Sequence, residues 1–285
     1  MSLALRGIFY AGGEAEDMSL MENTLFGMKD KTAEALELLC THEPPEGYYV
    51  AYSGGKDSTV ILDLVRRSGV KYDAHYNVTT VDPPELVYFI RTQPEIIWDR
   101  PEISMWELMV KVGMPPTRIA RYCCRYLKER GGLGRTVITG IRAAESVKRS
   151  KRQRFETDSK NPAKRYIHLI FDWTTEEVWE YITGNSVPYC PLYNEGFKRL
   201  GCICCPMGRP KGQLRDAERW PKYKARYIRA FDDMVKERRL RGLDVAKWQS
   251  GQDVWNWWTT RSAQRQCEGQ TELFKEARQC RSATK

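Results

Sequence analysis

Long apolar runs are missing from this sequence. No stretch approaches the roughly 18 residues that a membrane-crossing helix needs. The N-terminus, MSLALRGIFYAGGEAEDMSL, lacks the sustained apolar segment of a secretory signal. No repeat and no low-complexity tract is present. These absences point to a cytoplasmic chain with no membrane partner. Histidine is scarce, with only His42, His75 and His168 in 285 residues. A Walker A loop is also missing. It requires Gly-Lys-Ser/Thr with a second glycine five positions earlier, whereas here Lys56 precedes Asp57 and Val50 holds the earlier position.

What is present fits a globular protein with a real core: 41% hydrophobic and 29% charged residues. The length suits one large domain, or one domain with an appendage. Forty-six Lys and Arg against 37 Asp and Glu leave +9. That excess suits a nucleotide or nucleic acid, or is simply an unselective basic surface. Nine cysteines stand at 40, 123, 124, 190, 202, 204, 205, 267 and 280. An odd count at uneven spacing does not describe a secreted disulfide framework. Five of them form two tight clusters, Cys123-Cys124 and Cys202-Ile203-Cys204-Cys205. In a reducing compartment such clusters indicate metal or redox chemistry.

Residues 1–30 show no periodicity and read as an extension. A short amphipathic helix is expected over Lys31–Cys40, and a buried strand over Tyr48–Tyr52. That strand enters Ser53-Gly54-Gly55-Lys56-Asp57-Ser58-Thr59, and Val60, Ile61, Leu64 and Val65 then repeat at helical spacing up to Gly69. Strand, glycine turn and helix open a parallel α/β unit. A second unit has a strand over Tyr72–Val81, a loop at Asp82-Pro83-Pro84 and a helix over Glu85–Thr92. Further on, a helix is expected over Arg118–Arg130, strands over Thr136–Thr139 and Ile167–Phe171, and a helix over Thr174–Thr183. The basic stretch 147–165 reads as a mobile loop. Beyond Gly212, Trp220, Tyr223, Tyr227, Phe231 and Met234 form one stripe of a long helix with a basic opposite face. Trp248, Trp255, Trp257 and Trp258 follow it. Tryptophans at such spacing commonly pack a core, and they are also stacking surfaces for nucleic acid. The domain reading is therefore 1–30 extension, 31–213 nucleotide-binding domain and 214–285 helical, Trp-rich basic tail.

The glycine loop carries the clearest chemistry. Glycines behind a strand let backbone N–H groups approach an anion, the helix that follows adds its positive end, and Lys56 adds a full charge. Asp57 reads as a Mg²⁺ ligand or a helix cap. Thr79 and Asp82 end the second strand, where open α/β sheets bind ligands, although Asp82 also suits a turn before its prolines. Thiolates of the two cysteine clusters suit an iron–sulfur cluster or zinc, with free or disulfide-forming thiols as the remaining alternative. Arg121, Arg125 and Lys128 would lower their pKa values. Cys204 lies between Cys202 and Cys205 and reads as an extra ligand, a persulfide carrier or a buried residue. Cys40 and Cys190 read as small core residues.

Ser-Gly-Gly-Lys-Asp-Ser resembles the PP-loop of N-type ATP pyrophosphatases, in the adenine-nucleotide alpha-hydrolase-like superfamily. Thr139-Gly140-Ile141-Arg142 with Arg149, Phe171-Asp172-Trp173-Thr174, and the run from Val187-Pro188-Tyr189 to Gly201-Cys202 narrow the resemblance to the phosphoadenosine-phosphosulfate (PAPS) reductase family over about residues 31–210. The resemblance implies an α/β fold: a Rossmann-like, mostly parallel twisted sheet with helices on both faces, here followed by a C-terminal helical appendage. It implies adenine-nucleotide binding by residues 53–59, Thr79, Asp82, Gly140, Arg142 and Arg149, with Lys56, Asp57, Arg142 and Cys204 as catalytic candidates. The Cys-Cys…Cys-x-x-Cys pattern resembles that of the iron–sulfur adenylyl-sulfate (APS) reductases, and implies a [4Fe–4S] cluster on Cys123, Cys124, Cys202 and Cys205.

One feature departs from the family. Its reductases carry a catalytic cysteine in a C-terminal Glu-Cys-Gly-aliphatic-His motif, while this tail offers Gln266-Cys267-Glu268-Gly269-Gln270 and Gln279-Cys280-Arg281, with no histidine after either cysteine. The leading expectation is therefore sulfur transfer with ATP as cofactor and Mg²⁺ beside it. An acceptor, nucleic acid among the choices, is adenylated and then receives sulfur supplied by a cysteine desulfurase. The alternatives are thiol-dependent reduction of APS or PAPS, with thioredoxin as partner, and a non-catalytic nucleotide- or nucleic-acid-binding module.

Overall fold

The structure, a computed structural model, describes residues 18–260 apart from 26 and 160. Cys267 and Cys280 lie outside the described residues. In chain order the elements are β1 (Met21–Thr24), β2 (Gly27–Asp30), α1 (Lys31–Thr41), β3 (Tyr48–Tyr52), α2 (Lys56–Ser68), β4 (Tyr72–Asn77), α3 (Pro84–Arg91), β5 (Ile96–Asp99), α4 (Met105–Val112) and α5 (Tyr122–Leu127). They continue with β6 (Thr136–Thr139), α6 (Val147–Ser150), β7 (Phe155–Thr157), β8 (Arg165–His168), α7 (Thr175–Gly184), α8 (Arg209–Arg219), α9 (Pro221–Leu240) and α10 (Gly251–Trp258).

Six strands form one sheet in the order β5-β4-β3-β6-β8-β7, parallel throughout except for β7. This is the expected mostly parallel α/β sheet. Strand β3 is central, and its Tyr48, Tyr49, Val50 and Tyr52 are buried, as a continuous apolar run between two covered faces requires. The chain builds outward from β3 to β5, then returns to place β6 on the other side of β3. Neighbouring strands therefore diverge in connection at β3 and β6, which opens a crevice above their carboxyl ends.

Helix ends follow local chemistry. Gly69 ends α2 with φ +72°. Ser104 with Glu107 and Thr174 with Glu177 form capping boxes at the starts of α4 and α7. On one face of the sheet, α2 and α7 are joined by Tyr181, whose hydroxyl donates to Asp63 Oδ2 at 2.6 Å and accepts from Arg67 Nη1 at 2.8 Å. Gly131 and Gly132 lie against the Tyr49 ring.

Several elements differ from the sequence expectation. Residues 21–30 form an antiparallel hairpin. Strand β5 and α4 occupy a stretch for which no element was anticipated. The first strand of the second unit stops at Asn77, and the helix expected over 118–130 contracts to Tyr122–Leu127. The segment 147–165 is not a loop: it holds α6 and β7, which pairs antiparallel with β8 (Phe155↔Ile167). Its cations are tied inward, Arg149 to Glu145, Arg152 to Glu156, and Arg154 to Asp172 at 2.8 Å.

The C-terminal helices join the main core. Tyr227, Phe231, Met234, Trp255 and Trp258 are buried, and so is Trp248. Trp258 Nε1 donates to Pro116 O at 2.6 Å, and Arg238 Nη1 to Gly113 O at 2.7 Å. Gly251 starts α10 against α9 so closely that a Cβ there would collide with the Ile228 carbonyl. Trp248, Trp255 and Trp258 are core residues, and Trp257 is half-buried with its ring against Trp248.

Trp258→Ala is expected to lower unfolding free energy by about 3–5 kcal/mol. Urea denaturation measures it, and a loss below about 0.5 kcal/mol would show that the tail is not part of the core. A pH effect follows from His168. It is buried, Nδ1 lies 2.6 Å from Thr139 Oγ1, and Nε2 faces the Glu156 carboxylate at 3.5 Å, with Arg152 and Arg149 nearby opposing a charge on the ring. Burial pushes its pKa down to about 4. Between about pH 6.5 and 4 the unfolded chain takes up a proton that the native state refuses, so this contribution is complete above 6.5 and lost as pH falls toward 4. His168→Gln should flatten the stability profile in that window; an unchanged slope contradicts the assignment.

Candidate nucleotide and cysteine site

The glycine loop sits at the carboxyl end of β3. Gly54 has φ +68°, and an added Cβ would lie 2.7 Å from Leu86 Cδ1 and 2.8 Å from Ile90 Cγ1. Conformation and space both require glycine there. Ser58 closes the loop: its Oγ accepts from the Ser53 N–H at 3.2 Å and donates to the Gly55 carbonyl at 2.8 Å. Gly55 caps α2 without a side chain, and the first helical N–H, that of Lys56, donates to Tyr193 Oη at 2.8 Å.

Asp57 joins this loop to β6. Its Oδ1 accepts from Arg142 Nε at 2.6 Å and its Oδ2 from Lys56 Nζ at 2.9 Å. Arg142 is 1% exposed, and it also donates to Trp173 O at 3.1 Å and Thr175 Oγ1 at 3.4 Å. Both Asp57 oxygens are thus taken by cations in this arrangement.

In front of the pair lies a cleft of about 170 Å³, lined by Ser53, Gly55, Asp57, Ser58, Gly140, Glu145, Arg149, Tyr193 and Arg199 among others. Gly54, Lys56, Thr59 and Arg142 stand behind that lining. Burial first, and then Arg199 together with Arg152 and Arg142, lowers the Arg149 pKa to about 10. A guanidinium crowded by burial and like charge is stabilised by an anion in front of it.

The second half of the site stands beside β4. Thr79 and Asp82 are buried, and Asp82 Oδ2 accepts from the Thr79 N–H at 3.0 Å and from the Tyr76 hydroxyl. Asp82 therefore organises its own turn. Cys202 Sγ donates to Thr79 Oγ1 at 3.5 Å, and the Ile203 N–H donates to Val81 O at 2.8 Å, which ties the cysteine turn to the β4 loop. Lys128 reaches the same place: Cys202 first, then Asp82 and Cys205, raise its pKa.

Cys123 and Cys124 start α5. A hydrogen bond from Cys123, helped by Arg121 at 3.5 Å and by Lys128, lowers the Cys124 thiol to about 5. The Cys123 thiol is raised by that same bond and by burial, and also by Cys202 and Cys205. Burial pushes Cys202 up to about 11, against the pull of Lys128. Among the described residues, no group of three or more His, Cys, Asp or Glu side chains stands arranged around a single ion. The donor set itself fits a sulfur-ligated cluster: four thiols on two segments, half-buried, with Arg121 and Lys128 to offset thiolate charge. Arg121, Arg125 and Lys128 are all exposed, and of the three it is Arg121 and Lys128 that act on the Cys124 thiol.

Cys204 turns away from this group. Its φ of +56° directs the side chain into the core, where it is 0% exposed and its thiol donates to Gln213 O at 3.4 Å. A substrate-facing role for Cys204 finds no support in that placement; of its three readings, buried residue matches. Cys190 is buried as expected, whereas Cys40 is exposed. Sequence reasoning missed Glu145, Tyr193 and Arg199 as site residues. Only the sequential run Pro191–Cys202 hinted at the last two.

Residues 47–208, more than half of the chain, match the phosphoadenosine phosphosulfate reductase domain. The chain belongs to that family. Adenosine 5'-phosphosulfate reductase of Allochromatium vinosum is 28% identical over 226 residues, covering 73% of this chain and 86% of that protein. An uncharacterized protein of Methanocaldococcus jannaschii is 26% identical over 231 residues, 73% of this chain and 45% of its own length. The adenosine 5'-phosphosulfate reductase of Neisseria meningitidis serogroup A is 35% identical over 106 residues, 35% of this chain and 43% of that one. Among solved structures, PAPS reductase from Candida auris in a phosphate complex aligns with TM-score 0.48 and 22% identity, covering 60% of this chain and 87% of that chain. No helix among the described residues is long and apolar enough to cross a membrane.

Arg199 is exposed and lines the cleft, so Arg199→Ala should leave stability within about 0.5 kcal/mol. It should weaken pyrophosphate binding about tenfold, the effect of losing one charge-assisted contact. Calorimetric titration checks this, and unchanged affinity would remove Arg199 from the anion site.

Proposed function

We propose that this member of the PAPS reductase family is an ATP pyrophosphatase of sulfur transfer. The observation that carries the reading is the intact loop with Lys56 and Asp57 beside a cleft walled by Arg149 and Arg199. Such a cleft suits the charge of a leaving pyrophosphate. An acceptor oxygen would attack the α-phosphorus of ATP, the bond between the α-phosphorus and its bridging oxygen to the β-phosphorus would break, and pyrophosphate would depart with the negative charge. A sulfur nucleophile would then displace AMP from the adenylated acceptor. Arg199 would bind the departing phosphates, Arg149 would join it by giving up its ion pair with Glu145, Lys56 would offset their charge, and the Arg142–Asp57 pair would hold the loop in register. Asp57 would meet Mg²⁺ only by giving up a cation. Cys123, Cys124, Cys202 and Cys205 would hold a [4Fe–4S] cluster, which supplies a site for binding sulfur; zinc is the competing occupant.

The acceptor is proposed as nucleic acid on the strength of the +9 charge alone. The buried tryptophans lend no stacking surface, and Arg149, Arg152 and Arg154 are engaged within the chain. A cysteine desulfurase would be the sulfur donor.

A second reading, thiol-dependent APS or PAPS reduction with thioredoxin as partner, is favoured by the names of the relatives. There a tail thiolate, Cys267 or Cys280, attacks the sulfur of the sulfonucleotide, the nucleotide phosphate leaves, and a second thiol releases sulfite by forming a disulfide.

The test uses anaerobically purified protein with ATP and nucleic acid, and separately with APS or PAPS and thioredoxin. Acceptor-dependent pyrophosphate release, unchanged by Cys267→Ser or Cys280→Ser and lost in Lys56→Ala, is the expected result. Sulfite release abolished by either serine change would instead establish the reductase. Iron and acid-labile sulfide should be present in about equal amounts, and stoichiometric zinc without sulfide after reconstitution would remove the cluster.

A further inference from the structure

Tyr193 occupies an unusual position for a residue outside the loop. Helix α2 begins at Lys56, and the N–H of that residue is a natural donor to a phosphoryl oxygen at a helix N-terminus. Here it donates instead to the Tyr193 phenol at 2.8 Å. The phenol oxygen also lies 3.5 Å from where a Cβ on Gly55 would stand, directly against the loop. The ring is not there by chance rotation. It is held by edge contacts with Trp179 at 5.1 Å and Tyr189 at 6.4 Å, on the turn Pro191–Tyr193. Burial keeps the phenol neutral, so it is a weaker acceptor than a phosphoryl oxygen.

We propose that Tyr193 sets the anion affinity of the loop by competing for the Lys56 N–H: its hydroxyl holds the acceptor position that a phosphoryl oxygen must take. One N–H proton serves one short acceptor, so the two are mutually exclusive. Every phosphate that reaches the loop is penalised by the loss of the phenol bond, whereas a nucleoside without phosphate is not. Tyr193 is thus a specificity-determining residue for the phosphate end of the ligand. The inference rests on the proposed reading of the cleft as a phosphate site.

The test is Tyr193→Phe, which removes the hydroxyl and keeps the ring. Inorganic pyrophosphate should bind about three- to tenfold more tightly to the variant, the worth of one hydrogen bond, while adenosine affinity stays unchanged. Without pyrophosphate, the Lys56 amide should exchange its hydrogen faster in the variant than in the wild type; adding pyrophosphate should restore its protection. Weaker or unchanged pyrophosphate binding in the variant, or an equal shift for adenosine, overturns the competition and leaves the proposed function standing. Wild-type protein that binds no pyrophosphate overturns both.

Discussion

A single buried guanidinium holds the site together. Arg142 comes from the loop after β6 and spends its donors on Asp57 at the start of α2, on the Trp173 carbonyl, and on Thr175 in the first turn of α7. It therefore ties the ends of β3, β6 and β8 into one ledge above the sheet. An isolated charge at that depth would be strongly unfavourable, and only its exact partners make it tolerable. Taking away one partner of a buried pair costs about 3–5 kcal/mol. The glycine loop, the arginine-walled cleft and the position of Lys56 all depend on this pairing.

Packing around it fixes the 202–205 turn beside β4. The loop after β4 carries Thr79 and Asp82, and the 202–205 turn is stitched to it through Ile203 and Cys202. Cys204 takes a left-handed conformation and points inward, while Cys202 and Cys205 on either side of it stay half-buried. The C-terminal helices back this turn: Tyr227 donates to the Ile203 carbonyl at 3.0 Å and Tyr223 to the Asp82 carbonyl at 3.1 Å. What composition suggested was a basic, aromatic surface is in large part the rear wall of the site.

Much of this was legible before any coordinates. Tyr48–Tyr52 followed by two glycines and a helical repeat specified strand, turn and helix, and the helix expected over Thr174–Thr183 forms as Thr175–Gly184. Short elements were harder to read. Ile96–Asp99 is only four residues long, and β7 is a three-residue edge strand inside a run of cations, where pairing with β8 and local ion pairs decide the outcome. The site residues that escaped notice have one cause in common. Tyr193 and Arg199 reach the loop by tertiary packing across more than a hundred residues, and nothing in their local pattern distinguishes a cleft wall from a surface turn. The tryptophans show the converse: their helical spacing was already the pattern of a core.

We propose that the PP-loop cleft and the four cysteines form one site. The most direct measurement is the alkylation rate of Cys123, Cys124, Cys202 and Cys205, followed by mass spectrometry in metal-free protein with and without a non-hydrolysable ATP analogue, with the exposed Cys40 as internal reference. A shared site predicts that bound nucleotide slows alkylation of these four thiols and leaves Cys40 unaffected. Unchanged rates at all four, with nucleotide binding independently verified, would contradict it.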